Sequence, residues 1–387
     1  MIYFDNAATS YPKPPEVFAA MTTFMAEAGG NPGRSGHRLA TAAEAMLDEA
    51  RNALGKFFGV KDPHRVVFAF NCTDALNMAL KGFLDLHPGA HVISSMAEHN
   101  SVNRPLQQAH DDKRIRLQRV GLGADGAWGV DEVLDAVTPG TKFVALTHCS
   151  NVTGVIAPAA ELGRALRAKH PRVRYLVDAA QTAGVVPLDL EAACIDFLCF
   201  PGHKALFGPP GTGALLLGER VKPEELHGWR EGGTGGDSST PHQPRQWPYF
   251  LEGGTPNSMG IAGLLAGLRV VQARGLEKIL AHEQALQRRL IEKLGADERF
   301  TLYGTREPSR KAGVLSVALR GRDAADVATI LDSAFEVCVR PGLHCAPYTH
   351  KALGTFESGG TVRLSPGLFN SLEECDAVVA ALTEIVG

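Results

Sequence analysis

At 387 residues, with 44% hydrophobic and 21% charged side chains, the chain has an ordinary globular composition and enough length for two cores sharing an interface. A net charge of −3 without any long basic block excludes a nucleic-acid footprint. No apolar stretch approaches the roughly 20 residues of a membrane span, and Met1-Ile2-Tyr3-Phe4-Asp5 is neither basic nor apolar enough for a leader, so a cytoplasmic protein without membrane contacts is expected.

In chain order, residues 1–14 read as an arm, followed by a strand over 66–70 that runs through Phe70-Asn71-Cys72-Thr73 into a helix over 74–86, with Thr73 as N-cap. A strand over 91–96 leads to Glu98-His99-Asn100, and one over 142–148 leads to Ser150-Asn151-Val152-Thr153-Gly154. Helical patterns occupy 130–136 and 159–169. The strand over 174–178 ends on Asp178, with Gln181 just beyond it, and the strand over 196–201 runs into Gly202-His203-Lys204. One more strand follows over 213–217. Such alternation implies an α/β core with a mostly parallel sheet. Residues 228–256 are rich in Gly, Pro, Ser, Thr and His, and a loop that long is usually functional. Helices over 259–274 and 276–294, a strand over 314–319, a helix over 324–334, a strand over 361–364 and a helix over 372–386 complete the chain. The division expected is a large domain over 15–255 and a smaller α+β domain over 256–387, with the arm packing on the latter.

Asp178 and Lys204 at the ends of neighbouring strands suit pyridoxal 5′-phosphate (PLP), which needs a lysine for covalent attachment and an acid facing its ring nitrogen. Alone, Asp178 reads better as a helix cap and Lys204 as a solvated charge; the set of motifs taken together outweighs that. The helix start at Thr73 offers free amides and a positive dipole end to a phosphate, with His203 as a second candidate. His99, at the same sheet edge, can stack on a ring or move protons. Of seven cysteines none forms a Cys-x-x-Cys pair, and the scattered His and Cys show no metal spacing, so neither a disulfide framework nor a metal site is expected. Gly208-Pro209-Pro210-Gly211-Thr212-Gly213 imitates a nucleotide-binding loop, but Ala214 and Leu215 stand where lysine and a hydroxyl are required.

The order of these motifs resembles the cysteine desulfurase/selenocysteine lyase family, in its SufS-like group, within the class V aminotransferase-like branch of fold-type I PLP enzymes. The resemblance runs from Tyr3-Phe4-Asp5-Asn6-Ala7-Ala8-Thr9, through Arg34-Ser35-Gly36-His37-Arg38, Val177-Asp178-Ala179-Ala180-Gln181 and Glu252-Gly253-Gly254-Thr255-Pro256-Asn257, to Arg340-Pro341-Gly342-Leu343-His344-Cys345-Ala346 and Thr361-Val362-Arg363-Leu364. It implies that Lys204 forms the Schiff base, Asp178 pairs the ring nitrogen, Gln181 bonds the phenolic oxygen and His99 stacks on the ring. Thr73 and His203 hold the phosphate, joined by Thr255 from a second subunit of a homodimer. Asn151 and Arg363 bind the substrate, L-cysteine or selenocysteine, with His37 and Arg340 as further candidates. Cys345 takes the sulfur as a persulfide and passes it to an acceptor protein, with Arg340 and His344 favouring its thiolate. Two positions depart from the family pattern, Pro201 where a serine is usual and Cys72 where a threonine is common. The alternatives are a selenocysteine lyase, an aminotransferase or epimerase of the same branch, or a non-catalytic assembly partner of the same fold.

Overall fold

The computed structural model describes residues 1–33, 36–234 and 239–387. Arg34 and Ser35 of the Arg34–Arg38 motif, and residues 235–238 of the long loop, lie outside the described residues. Thirteen strands are present among the rest. The first eight are β1 (Ile2–Tyr3), β2 (Val66–Ala69), β3 (Ala90–Ser95), β4 (Ile115–Val120), β5 (Thr141–Thr147), β6 (Arg174–Asp178), β7 (Phe197–Pro201) and β8 (Gly213–Leu217). The remainder are β9 (Phe300–Tyr303), β10 (Leu315–Leu319), β11 (Val337–Cys338), β12 (Arg340–Gly342) and β13 (Thr361–Leu364).

The main sheet has the order β2-β8-β7-β6-β5-β3-β4, and every pairing is parallel except the two made by β8. The expected mostly parallel sheet is therefore what the chain forms. The middle positions of its central strands β5, β6 and β7 are apolar because both faces are covered. In β6, Tyr175 and Val177 enter one core while Leu176 enters the other, and in β7 Leu198 and Phe200 oppose Phe197 and Cys199. All the parallel strands end at one edge, where α/β sheets bind ligands.

A four-stranded antiparallel sheet, β12-β13-β10-β9, packs with the helices Leu276–Gly295, Ala324–Phe335 and Leu372–Val386 around a separate core. The N-terminal segment belongs to this core, for β1 pairs in parallel with β11 and Phe4 is wholly buried there. No described helix is long and apolar enough to cross a membrane.

Element ends differ from expectation in one place that bears on the site. The helix expected over 74–86 is Cys72–Leu84, and its N-cap is Asn71, whose side chain accepts the Asp74 amide at 2.9 Å. Thr73 is thus not the cap but the second helical residue. Asparagine caps as well as any residue, and its use one turn-step earlier frees the Thr73 hydroxyl for other partners.

Candidate active site

A cavity of about 200 Å³ opens at the carboxyl edge of the main sheet, and residues from five strand ends and from β12 and β13 line it. Thr73, His99, Asn151, Asp178, Gln181, His203, Lys204, Arg340 and Arg363 all reach it. So do Cys72 and Pro201, the two departures from the family pattern.

The floor comes from β6 and β7. Asp178 is 2% exposed; its Oδ1 accepts the Ala180 amide at 2.9 Å and the Cys72 thiol at 3.5 Å. Its other oxygen accepts no hydrogen bond among the described residues. Burial raises the Asp178 pKa, against the pull of the Ala180 amide and of Lys204. Burial likewise lowers the Lys204 pKa, and its Nζ has no hydrogen-bond partner among the described residues. Ser10 fixes the main chain here by donating to the Lys204 carbonyl at 2.8 Å. Gln181 is held by the Ala7 carbonyl at 3.2 Å.

His99 caps the helix Asn100–Asp111, and its Nδ1 accepts the Ser101 amide at 3.1 Å. Burial, with Lys204 next in weight, lowers its pKa to about 4, so the ring is neutral near pH 7 with its proton on Nε2. Ser101 Oγ lies 2.9 Å from His99 Nδ1 and 2.7 Å from Thr73 Oγ1, which joins the two helix starts in one polar chain. Sequence reasoning missed Ser101, whose only signal is a hydroxyl two residues past His99. His203 is also neutral near pH 7, its pKa lowered to about 4 by burial first and Lys204 second, and its Nδ1 lies 3.1 Å from Thr9 Oγ1.

The opposite wall comes from the smaller sheet. Arg363 is 1% exposed; it donates to Asp5 at 2.7 Å and to the Asn151 carbonyl at 3.3 Å, while its Nε is buried without a partner. Asp5 was the second residue missed, since only folding brings it beside Arg363. Arg340 Nη2 donates to Cys345 Sγ at 3.1 Å and so links the thiol to the cavity that Cys345 itself does not line. His344 and Cys345 both have left-handed backbone, φ 48° and 59°. Asn151 Nδ2 holds the His344 carbonyl at 2.6 Å, and the Asn100 amide holds the Cys345 carbonyl at 2.7 Å.

One expectation is corrected, and two candidate residues lie outside the cavity of their own chain. His344 offers no positive charge to Cys345, because burial, then Arg363, lowers its pKa to about 2 and its Nε2 is 3.0 Å from Thr361 Oγ1. His37 is exposed and caps the helix Arg38–Phe58, away from the cavity of its own chain. Thr255 is exposed too, beside Phe68, Phe70 and Arg230 rather than in that cavity. Among the described residues no group of three or more His, Cys, Asp or Glu could hold a metal ion.

The donor set fits PLP. Three basic side chains and a single carboxylate line the cavity, which suits a doubly charged phosphate and an amino-acid carboxylate together. The amides of Cys72 and Thr73, orphaned at the helix start, face no acceptor among the described residues. The free oxygen of Asp178 and the unpartnered Nζ of Lys204 complete the set.

A family model described as aminotransferase class-V matches residues 2–378. The chain is 33% identical over its full length to a probable cysteine desulfurase of Methanothermobacter thermautotrophicus, covering 95% of that protein, and 31% identical to a cysteine desulfurase of Salmonella typhimurium, covering 93% of it. Among solved structures, the apo cysteine desulfurase of Thermococcus onnurineus superposes with a TM-score of 0.93 at 33% identity, covering 100% of this chain and 94% of that one. The Escherichia coli cysteine desulfurase CsdA gives 0.87 at 27% identity, with 99% and 94% covered.

Proposed function

Since the chain belongs to the aminotransferase class-V family, among its cysteine desulfurases, we propose that it converts L-cysteine to L-alanine with PLP and leaves the sulfur on Cys345 as a persulfide. The observation that carries this reading is the Arg340–Cys345 contact of 3.1 Å, which sets a thiol at the wall of a cavity containing Lys204, Asp178 and Arg363.

Lys204 would hold the cofactor covalently, and Asp178, through its free oxygen, would hold the ring nitrogen protonated. Thr73 and the amides at the start of Cys72–Leu84 would take the phosphate. When bound, PLP supplies an electron sink to the substrate α-carbon. Arg363 would orient the substrate through its carboxylate, using the unpartnered Nε, while Asp5 at Nη2 and the Asn151 carbonyl at Nη1 hold the guanidinium in place. Lys204, whose charge burial disfavours, would move the proton at the α-carbon. Neutral His99 donates from Nε2.

Cys345 Sγ then attacks the substrate sulfur. The S–S bond forms as the Cβ–S bond breaks, the electron pair stays with Cβ, and Cβ takes a proton. L-cysteine and the Cys345 thiol thus yield L-alanine and Cys345–S–SH, with no external oxidant. The persulfide passes to an acceptor protein.

Thr255 and His37 lie outside the cavity of their own chain, which supports a homodimer in which each copy completes the other's site. The test is to incubate the PLP-loaded protein with L-cysteine, quantify alanine, and search the Cys345 peptide for an added sulfur by mass spectrometry. Equal amounts of alanine and Cys345 persulfide in the first turnover are expected. Alanine without a sulfur adduct on Cys345 removes the reading.

A further inference from the structure

β2 is an edge strand of the main sheet, paired only with β8. Its outer edge therefore leaves the Val66 carbonyl and the Phe68 amide without a neighbouring strand. A side-chain pair replaces that strand. Arg51, from the helix Arg38–Phe58, donates to the Val66 carbonyl, and Glu252 Oε1 accepts the Phe68 amide at 2.6 Å. The two side chains join each other through two bonds of 2.8 and 2.5 Å, with the guanidinium 4.4 Å above the Phe68 ring. They are only 8% and 16% exposed, so the pair is largely withdrawn from water.

Glu252 ends the long loop, and the start of that loop is fastened to the same β2–helix turn. Arg230 donates to Asp74 at 2.8 Å, and Asp74 also accepts the Phe70 amide at 2.9 Å. The loop's two ends run side by side, since the Gly254 amide bonds the Gly233 carbonyl at 2.7 Å. A side chain at Gly253 would press on the Arg230 carbonyl, at 3.1 Å, and Gly254 has φ +90°. Two residues past Thr255, Asn257 bonds the Gly211 carbonyl at 2.9 Å and caps the next helix through the Gly260 amide at 3.0 Å. Thr255 is thus an exposed residue clamped on both sides.

We propose that the Arg51–Glu252 pair is a positioning device for Thr255, holding it where it reaches the cofactor phosphate of a second copy of this chain. The proposal rests on the homodimeric reading of Thr255 given above. Neither Arg51 nor Glu252 touches the cofactor; they act through the backbone of residues 252–255. A largely buried ion pair is a poor source of net stability, but a two-point link between a loop and a strand edge fixes direction.

The test uses the full-length protein stripped of PLP and titrated with PLP by absorbance. The proteins are wild type, Glu252→Gln, Thr255→Ala and the double variant, with sedimentation and the thermal midpoint of the PLP-free protein as parallel readouts. Loss of a hydrogen bond to a charged group predicts that each single variant weakens PLP about tenfold or more. Acting through one contact, the double variant binds no more weakly than the weaker single. Multiplying effects, or an unchanged affinity in Glu252→Gln while Thr255→Ala is weakened, overturn the positioning role and leave the Thr255 reading standing. An unchanged affinity in Thr255→Ala removes both. Arg51→Lys keeps the charge but cannot span both carboxylate oxygens and the Val66 carbonyl, and it carries the same cycle if Glu252→Gln does not fold.

Discussion

The floor of the cavity and the wall that leads to Cys345 are built on different terms. Asp178 ends a central parallel strand buried on both faces and Lys204 follows just after the next, so strand packing sets both, with hydrogen bonds from Ala180 and Ser10 added to it. Cys345 stands just past β12, at the start of the 343–360 connection to β13; it and His344 are both left-handed, and their carbonyls are held by the Asn100 amide and the Asn151 side chain. The floor is set mainly by the core, whereas the Cys345 segment is hung from it by hydrogen bonds. Under the proposed function, damage to the first costs the cofactor and damage to the second costs only the transfer.

The largest expected effect is on the floor. Lys204→Ala should lower turnover on the order of 10³-fold or more, since both attachment and proton transfer are lost, and borohydride should no longer fix the cofactor to the Lys204 peptide. Fixation at another lysine in the wild-type protein breaks the comparison at once. On the wall, Cys345→Ser should abolish the persulfide while the PLP spectrum and its response to L-cysteine survive; a serine hydroxyl is a poor nucleophile toward sulfur. Wild-type turnover in this variant makes Cys345 structural. Between the two regions, Arg363→Ala should raise the KM for L-cysteine about tenfold to a hundredfold, in proportion to one charged hydrogen-bonded contact, with steady-state kinetics as the check.

A pH series sharpens the comparison further. His99, His148, His203 and His350 have pKa values lowered to about 4 by burial, and His344 to about 2, from an ordinary 6.5. Between pH 6.5 and 4 the unfolded chain binds protons that the fold refuses, so their contribution is present above 6.5 and is lost as pH falls. Glu98 acts oppositely: burial raises it from 4.5 to about 8, so its contribution is lost as pH rises through that range. Urea midpoints should therefore fall from pH 6.5 toward 4, and His344→Gln should flatten that slope if the wall is held as described. The smallest expected change is Cys72→Thr, where a hydroxyl replaces a weak thiol donor 3.5 Å from Asp178. PLP should bind tighter by about fivefold, one ordinary hydrogen bond, as read by titration.

The floor was legible because its residues follow directly on apolar runs, and a run with both faces buried announces a central strand. Asp178 and Lys204 carried meaning only together and with the other motifs, since either alone reads as a cap or a solvated charge. The helix start was displaced by two residues because Asn71, Thr73 and Asp74 all cap well, and only packing of Cys72 and Ala75 settles which turn comes first. The wall was legible only as a motif: nothing in Arg340-Pro341-Gly342-Leu343-His344-Cys345 discloses that His344 turns inward to Thr361 and loses its charge. Asp5 and Ser101 escaped notice because their partners, Arg363 and Thr73, are joined to them by the fold alone.

The bond between Asp5 and Arg363 spans 358 positions, and β1 waits nearly as long for β11. At a synthesis rate of about 5–20 residues per second, roughly 20–70 s separate the emergence of the two halves of this contact from the ribosome. The first strand of the chain has no partner during that time, and its apolar Ile2 and Phe4 remain unburied. The Arg363 wall is thus among the last features the nascent protein acquires, well after the sheet that leads to Lys204 can close.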